Sequence, residues 1–74
     1  MTKLPALKAR EVISILHKAG YETDHITGSH DILRNPHRSG RVVVPYHGTE
    51  LKTCVLREII KQSGLTEDEF LALR

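Results

Sequence analysis

A Gly-Ser pair, Gly28-Ser29, separates two short stretches that favour β-structure, and it is the feature that most narrowly limits how this chain can fold. Glycine permits backbone angles that other residues resist, so the chain can reverse tightly here. The next residue, His30, then stands at the entrance of a strand, which holds it in place. Histidine is the one side chain whose unperturbed pKa lies near neutrality, so this position suits a proton-transfer residue. It suits an ordinary surface histidine equally well.

Helical and strand patterns follow one another along the chain. Apolar residues recur at helical spacing from about Lys8 to Ala19, and Gly20 is placed to end that helix. The helical period returns from about Leu51 and closes at Gly64. Between the two helices lie three stretches that predict strands, with a turn-rich loop at 35–40 before the last: residues 21–27, 30–35 and 41–45.

The C-terminal segment carries a helix start signal. Thr66 and Glu69 have the spacing of a capping box, which predicts a short third helix at about 67–73. The complete order is α-β-β-β-α with an added C-terminal helix. This predicts an α+β fold in which two helices cover one face of a three-stranded antiparallel sheet. We expect a single domain over residues 1–74, with its core at about 8–64.

The alternation of the second strand decides which side chains the uncovered face of the sheet presents. If Leu33 points to the core, His30 and Arg34 point outward together, about 13 Å apart on one face. If Ile32 is the core residue, His30 and Arg34 point to the covered side of the sheet instead. The period of two fits both arrangements.

Composition narrows the classes of function. The chain has 74 residues and a formal charge of +2, which is only mildly basic. Its middle is more basic than its ends, and three of its five histidines lie there. This distribution is compatible with a phosphate-bearing partner, and a solvated hairpin face explains the charge equally well.

Cysteine and histidine spacing argues against a metal or disulfide framework. The single cysteine, Cys54, excludes an internal disulfide, and its position near an apolar stripe predicts a small buried side chain. None of the histidines has the spacing of a tight metal-ligand pair, so we expect no metal and no cofactor. No signal-peptide pattern and no apolar run of about 18 residues is visible, which predicts a cytoplasmic protein without a membrane span.

Several segments, in their order and spacing, resemble the HicA (YcfA-like) family of toxins: Gly20-Tyr21, Gly28-Ser29-His30, Val42-Val43-Val44-Pro45-Tyr46-His47 and the Leu51–Gly64 helix. The resemblance implies a double-stranded-RNA-binding-domain-like fold and an mRNA-cleaving toxin that a HicB antitoxin neutralises. It implies that His30 is the catalytic residue and that Gly28 and Ser29 support it. Many members carry a second histidine where this chain has Asp31, which puts a negative charge beside the predicted site.

The implied chemistry needs only one histidine and no metal. RNA carries its own nucleophile, the 2′-hydroxyl, so a ribonuclease has only to deprotonate it or to protonate the leaving oxygen. Cations around the phosphate then stabilise the charge of the transition state. We therefore expect a metal-independent endoribonuclease toxin with His30 as general base or acid. Candidates for holding the RNA backbone are the cationic side chains of the middle region: Arg34, Arg38, Arg41, His47 and Lys52.

Two other functions fit the same residues. A non-catalytic RNA-binding module would show RNA binding that falls steeply with salt, but no cleaved products. A partner-binding subunit of a regulatory complex would bind a protein tightly and would contact DNA only through its antitoxin. The resemblance ranks the nuclease above both.

Overall fold

The computed structural model describes residues 4–38, 40–46 and 50–74 of the chain. Three strands form an antiparallel sheet and lie side by side in the order in which they follow one another along the chain. The expected α+β order, α-β-β-β-α with an added C-terminal helix, is confirmed. Its elements are α1 (Ala9–Lys18), β1 (Glu22–Thr27), β2 (His30–Arg34), β3 (Arg41–Pro45), α2 (Thr53–Ser63) and α3 (Glu67–Ala72).

The helices end where the sequence signals predict. Gly20 and Gly64 follow α1 and α2 with φ angles of 97° and 77°, a region that favours glycine. At the start of α3, the Glu69 N–H donates to Thr66 Oγ1 at 3.1 Å and the Thr66 N–H donates to Glu69 Oε1 at 3.0 Å, which confirms the capping box. Within the described ranges, none of the helices combines the length and the apolar character that crossing a bilayer requires.

One apolar core joins the helices to the inner face of the sheet. The N-terminal segment adds Leu4 and Leu7 to it, a contribution that the helical pattern did not predict, and the Leu51 N–H donates to the Leu7 carbonyl at 2.8 Å. The largest of the fully buried apolar side chains are Phe70, Leu7, Ile15, Leu16, Leu33, Leu56 and Ile59.

Strand boundaries differ from the prediction by one residue at two places. Tyr21 precedes β1 instead of opening it, because its ring is buried and its hydroxyl donates to the Ser63 carbonyl at 2.9 Å. Asn35 follows β2 instead of closing it, because its Oδ1 accepts the His37 N–H at 2.8 Å and so begins the turn to β3.

The prediction that Cys54 is buried is wrong, since its thiol is exposed in the first turn of α2. That helix begins at Thr53 and not at Leu51, and it buries Leu56, Ile59, Ile60 and Ser63. Residues two positions apart on a helix are separated by about 200° around its axis, so Cys54 lies on the side opposite to Leu56.

The two edge strands of the sheet, β1 and β3, differ in how far they are covered. Beside β3 lies α2, whose Gln62 Oε1 accepts a hydrogen bond from the Val43 N–H at 3.4 Å. All six residues of β1 are exposed. The helices were expected to cover one face of the whole sheet. They cover β2 and β3 and leave β1 exposed.

Candidate active site on the open sheet face

The turn before β2 has the backbone that a tight hairpin requires. Gly28 has a φ of 58°, and every described non-glycine residue, Ser29 included, has a negative φ. A positive angle followed by a negative one is the sign pattern of a type II′ turn, which needs glycine first. The Ser29 carbonyl also accepts the Tyr46 N–H at 2.5 Å, so the turn is fixed to the end of β3.

His30 is the first residue of β2 and lies between two neighbours on the sheet. It pairs with Thr27 of β1 and with Pro45 of β3, and its side chain is exposed. Asp31 and Leu33, whose side chains point to the opposite side of this strand, are buried. Leu33 is therefore the core residue of this strand, and His30 points to the uncovered side of the sheet.

Asp31 does not share the face of His30. It lies on the helix side of β2 with 7% of its surface exposed, and its Oδ2 accepts the Thr23 hydroxyl at 3.4 Å. No described residue offers a hydrogen bond to its buried Oδ1. The pleat of the strand thus separates this carboxylate from the predicted catalytic histidine.

The register of the three strands defines the uncovered side, which we call the open face. His30 lies at one end of it, about 13 Å from Arg34 at the other end. Arg34 is directly opposite Arg41 on β3 and opposite Glu22 on β1. The open face consists of Glu22, His25 and Thr27, then His30, Ile32 and Arg34, and finally Arg41, Val43 and Pro45.

A second histidine lies on the open face, next to an irregularity in β1. His25 lies opposite Ile32, and the register shifts between Thr23 and His25, so that Asp24 is left out of the pairing. Its Nδ1 is 2.8 Å from Asp24 Oδ2, with both side chains about half exposed. The interpretation of the sequence missed His25. A two-residue turn at 28–29 already implies this pairing and could have revealed it.

The five cations predicted to hold RNA are not gathered in one place. Arg34 and Arg41 share the open face with His30. The Arg38 guanidinium lies against Gly64, where it faces the carbonyl end of α2, although Arg34 and Arg38 also line one cleft of about 480 Å³. Lys52 is the exposed residue just before α2, and His47 lies outside the described residues.

Residues 9–65 match the family described as HicA toxin of bacterial toxin-antitoxin. The chain belongs to the HicA toxin family. It is therefore a toxin of a toxin–antitoxin system, and its family implies an antitoxin partner. No curated relative was found to match it. The matched segment of this HicA toxin begins with α1 and includes all three strands, whereas α3 follows it.

The HicA toxin shows no cluster that resembles a metal centre in the part of the chain that the structure describes. No three side chains of His, Cys, Asp or Glu are grouped there as ligands. The open face instead offers imidazoles at one end and guanidinium groups at the other. This combination suits proton transfer beside a phosphate group.

Proposed function

We propose that this toxin is an endoribonuclease that cleaves mRNA, with His30 as a general base or acid. The placement of His30 is the observation that carries the proposal. The residue is exposed on a paired strand, directly after a turn that is hydrogen-bonded to β3. A side chain held in this way keeps its position relative to a bound substrate without having to be ordered at each turnover.

The reaction uses a nucleophile that the substrate supplies. The 2′-hydroxyl of RNA attacks the adjacent phosphorus once its proton is removed, and the 5′-oxygen leaves once it gains one. An imidazole can serve either step. Because the nucleophile belongs to the RNA, the proposal requires no metal ion to generate one.

Arg34 and Arg41 support a path for the RNA along the open face. Like charges directly opposite each other on a sheet destabilise it, and a phosphate between them removes the repulsion. Within the described part of the chain, neither arginine forms an ion pair with a carboxylate, whereas Asp24 is paired with His25. We therefore propose that a single strand runs from His30 to this arginine pair.

The antitoxin partner is proposed to be of the HicB type and to cover the open face. Such a position would hide His30 from RNA and would place protein groups opposite the two arginines. The non-catalytic module and the partner-binding subunit remain the competing functions, and they predict no RNA fragments.

Cleavage of a long unstructured RNA in EDTA tests the proposal. Wild-type protein is compared with His30→Ala and with His17→Ala, which removes an exposed imidazole from α1 instead. We expect cleavage by the wild type and the control and a loss of about 100-fold or more in His30→Ala. Equal cleavage by His30→Ala would remove that residue from the mechanism. RNA binding without fragments would favour the non-catalytic module.

A further inference from the structure

The turn at Gly28-Ser29 sets the side of the sheet to which His25 belongs. Counted from that turn, the antiparallel register pairs Thr27 with His30 and His25 with Ile32, so His25 lies on the open face. The irregularity follows at Asp24, which is left unpaired, and it moves Thr23 to the inner side, where Thr23 pairs with the core residue Leu33. Bulges of this kind redirect side chains and are frequent beside active sites.

The pairing set by the turn makes His25 a diagonal neighbour of His30. The two strands pair Thr27 with His30 and His25 with Ile32, so the histidines occupy adjacent rungs of the same face. Diagonal neighbours in an antiparallel pair are about 7–8 Å apart, within reach of long or aromatic side chains. Two imidazole rings at this separation can contact opposite sides of one phosphate group.

Asp24 orients the ring of His25. The 2.8 Å contact joins Asp24 Oδ2 to Nδ1, and Nε2 has no partner among the described residues. A proton on Nδ1 is then donated to the carboxylate, which leaves Nε2 as the nitrogen that can meet a substrate. The turn therefore places the histidine on the open face, and the bulged residue beside it holds the imidazole ring.

We infer that His25 is the second proton-transfer residue of this site and donates a proton from Nε2 to the leaving 5′-oxygen. The inference rests on the proposed function and assigns His30 the role of base. The 2′-hydroxyl proton passes to His30 while the 2′-oxygen forms a bond to phosphorus. The bond from phosphorus to the 5′-oxygen breaks, and that oxygen takes the proton of His25. The products are a 2′,3′-cyclic phosphate and a 5′-hydroxyl, and the two histidines have exchanged protonation states.

A substrate with sulfur in place of the leaving 5′-oxygen isolates the role of His25. A thiolate is a much weaker base than an alkoxide, so its departure needs no proton donor. With ordinary RNA, His25→Ala should lower kcat about 100-fold or more, the range that acid–base catalysis supplies. With the sulfur substrate, it should cleave at close to the wild-type rate. His30→Ala should be slow on both substrates.

Two further variants serve as comparisons. His17→Ala removes an exposed imidazole from α1 and should match the wild type on both substrates. Asp24→Asn should lower kcat while KM stays unchanged, because it disturbs the orientation of the ring without removing a group that binds RNA. Thermal unfolding confirms that each variant is folded.

The outcomes separate this inference from the proposed function. Wild-type cleavage of ordinary RNA by His25→Ala, or an equal loss on both substrates, would overturn the role of His25 as acid. In either case the slow His30→Ala variant would still support the proposed nuclease. A wild-type protein that leaves ordinary RNA intact would overturn both.

Discussion

Asp31 directly follows the predicted catalytic residue His30, but its surroundings give it a role in stability. It lies on the inner side of β2, pairs with Val44, and has one carboxylate oxygen without a partner among the described residues. Burying an incompletely hydrogen-bonded carboxylate is unfavourable. Asp31 therefore acts on stability and not on the chemistry of the open face.

Replacing Asp31 with valine should raise the free energy of unfolding by about 1–3 kcal/mol. Valine has a similar volume, suits a strand, and leaves no buried polar atom at this position. Denaturant unfolding measures the change. RNA cleavage by Asp31→Val should equal that of the wild type.

Thr23→Val provides the matched control, since the hydroxyl of Thr23 donates a hydrogen bond to Asp31. It should be more destabilising in the wild-type background than in the Asp31→Val background, because only the wild type then loses a hydrogen bond to a buried carboxylate. A decrease in the stability of Asp31→Val would contradict this account of the residue.

Individual residues show what the sequence can and cannot predict about the site. His30 could be placed at a strand entrance because the turn before it has a distinct local chemistry. Its face could not be assigned, since Ile32 and Leu33 are both apolar and only packing against the helices distinguishes them. Cys54 was misplaced because its nearness in sequence to apolar residues was taken for burial, whereas it lies about 200° around the helix axis from the buried Leu56.

Among the elements, the β1–β2 hairpin determines where the imidazoles lie. Its turn fixes the pairing of Thr27 with His30, and that pairing fixes the register as far as His25. The turn and the hairpin could be predicted from Gly28-Ser29. The bulge at Asp24 could not, because no residue type there demands one.

Gly28→Ala should impair both stability and cleavage. At a φ of 58° an alanine is strained by about 1–2 kcal/mol, although its Cβ would meet open space. Relief of that strain changes the turn and displaces His30. We expect kcat to fall by about tenfold, since small displacements of a catalytic group are costly. Cleavage kinetics and thermal unfolding measure the two effects.

Gly64→Ala offers a control with a similar backbone angle in a different place. Its φ is 77°, and an added Cβ would meet the flexible guanidinium of Arg38, which can move away. Stability should fall by about 1 kcal/mol while kcat stays at the wild-type value. Equal reductions of kcat in both glycine variants would show that the turn has no special role.

Arg34 of β2 and Arg41 of β3 should contribute to RNA affinity because they lie on the open face, and not only because they add positive charge. A double variant, Arg34→Gln with Arg41→Gln, should bind an uncleavable 2′-O-methyl RNA about tenfold more weakly. The slope of log K against log salt should shrink by about 0.7 for each phosphate that the variant no longer neutralises. Its thermal stability should not decrease, because two opposed like charges have been removed.

Arg10→Gln with Arg57→Gln removes the same charge from exposed positions on α1 and α2. This control should retain most of the affinity and the salt slope of the wild type. An equal decrease of affinity in the two double variants would mean that net charge alone attracts RNA, and the proposed path along the open face would be wrong.

The molecule as a whole divides its two sheet faces between stability and reactivity. Helices pack against the inner face around Leu33, Val42 and Val44, and the open face keeps the imidazoles and the arginine pair accessible. The order of elements was predictable because each carries a local signal: helical period, β-branched runs, glycine ends and a capping box. The exposure of β1 could not be predicted, because it depends on where the helices pack across the sheet.

The chemical ends of the RNA fragments test the central claim most directly. If the toxin uses the 2′-hydroxyl of RNA as nucleophile, mass spectrometry will find a 2′,3′-cyclic phosphate, or the phosphate formed by its hydrolysis, on one fragment and a 5′-hydroxyl on the other. Fragments with a 5′-phosphate and a free 3′-hydroxyl would mean that water attacked the phosphorus, and the account of His30 given above would be contradicted.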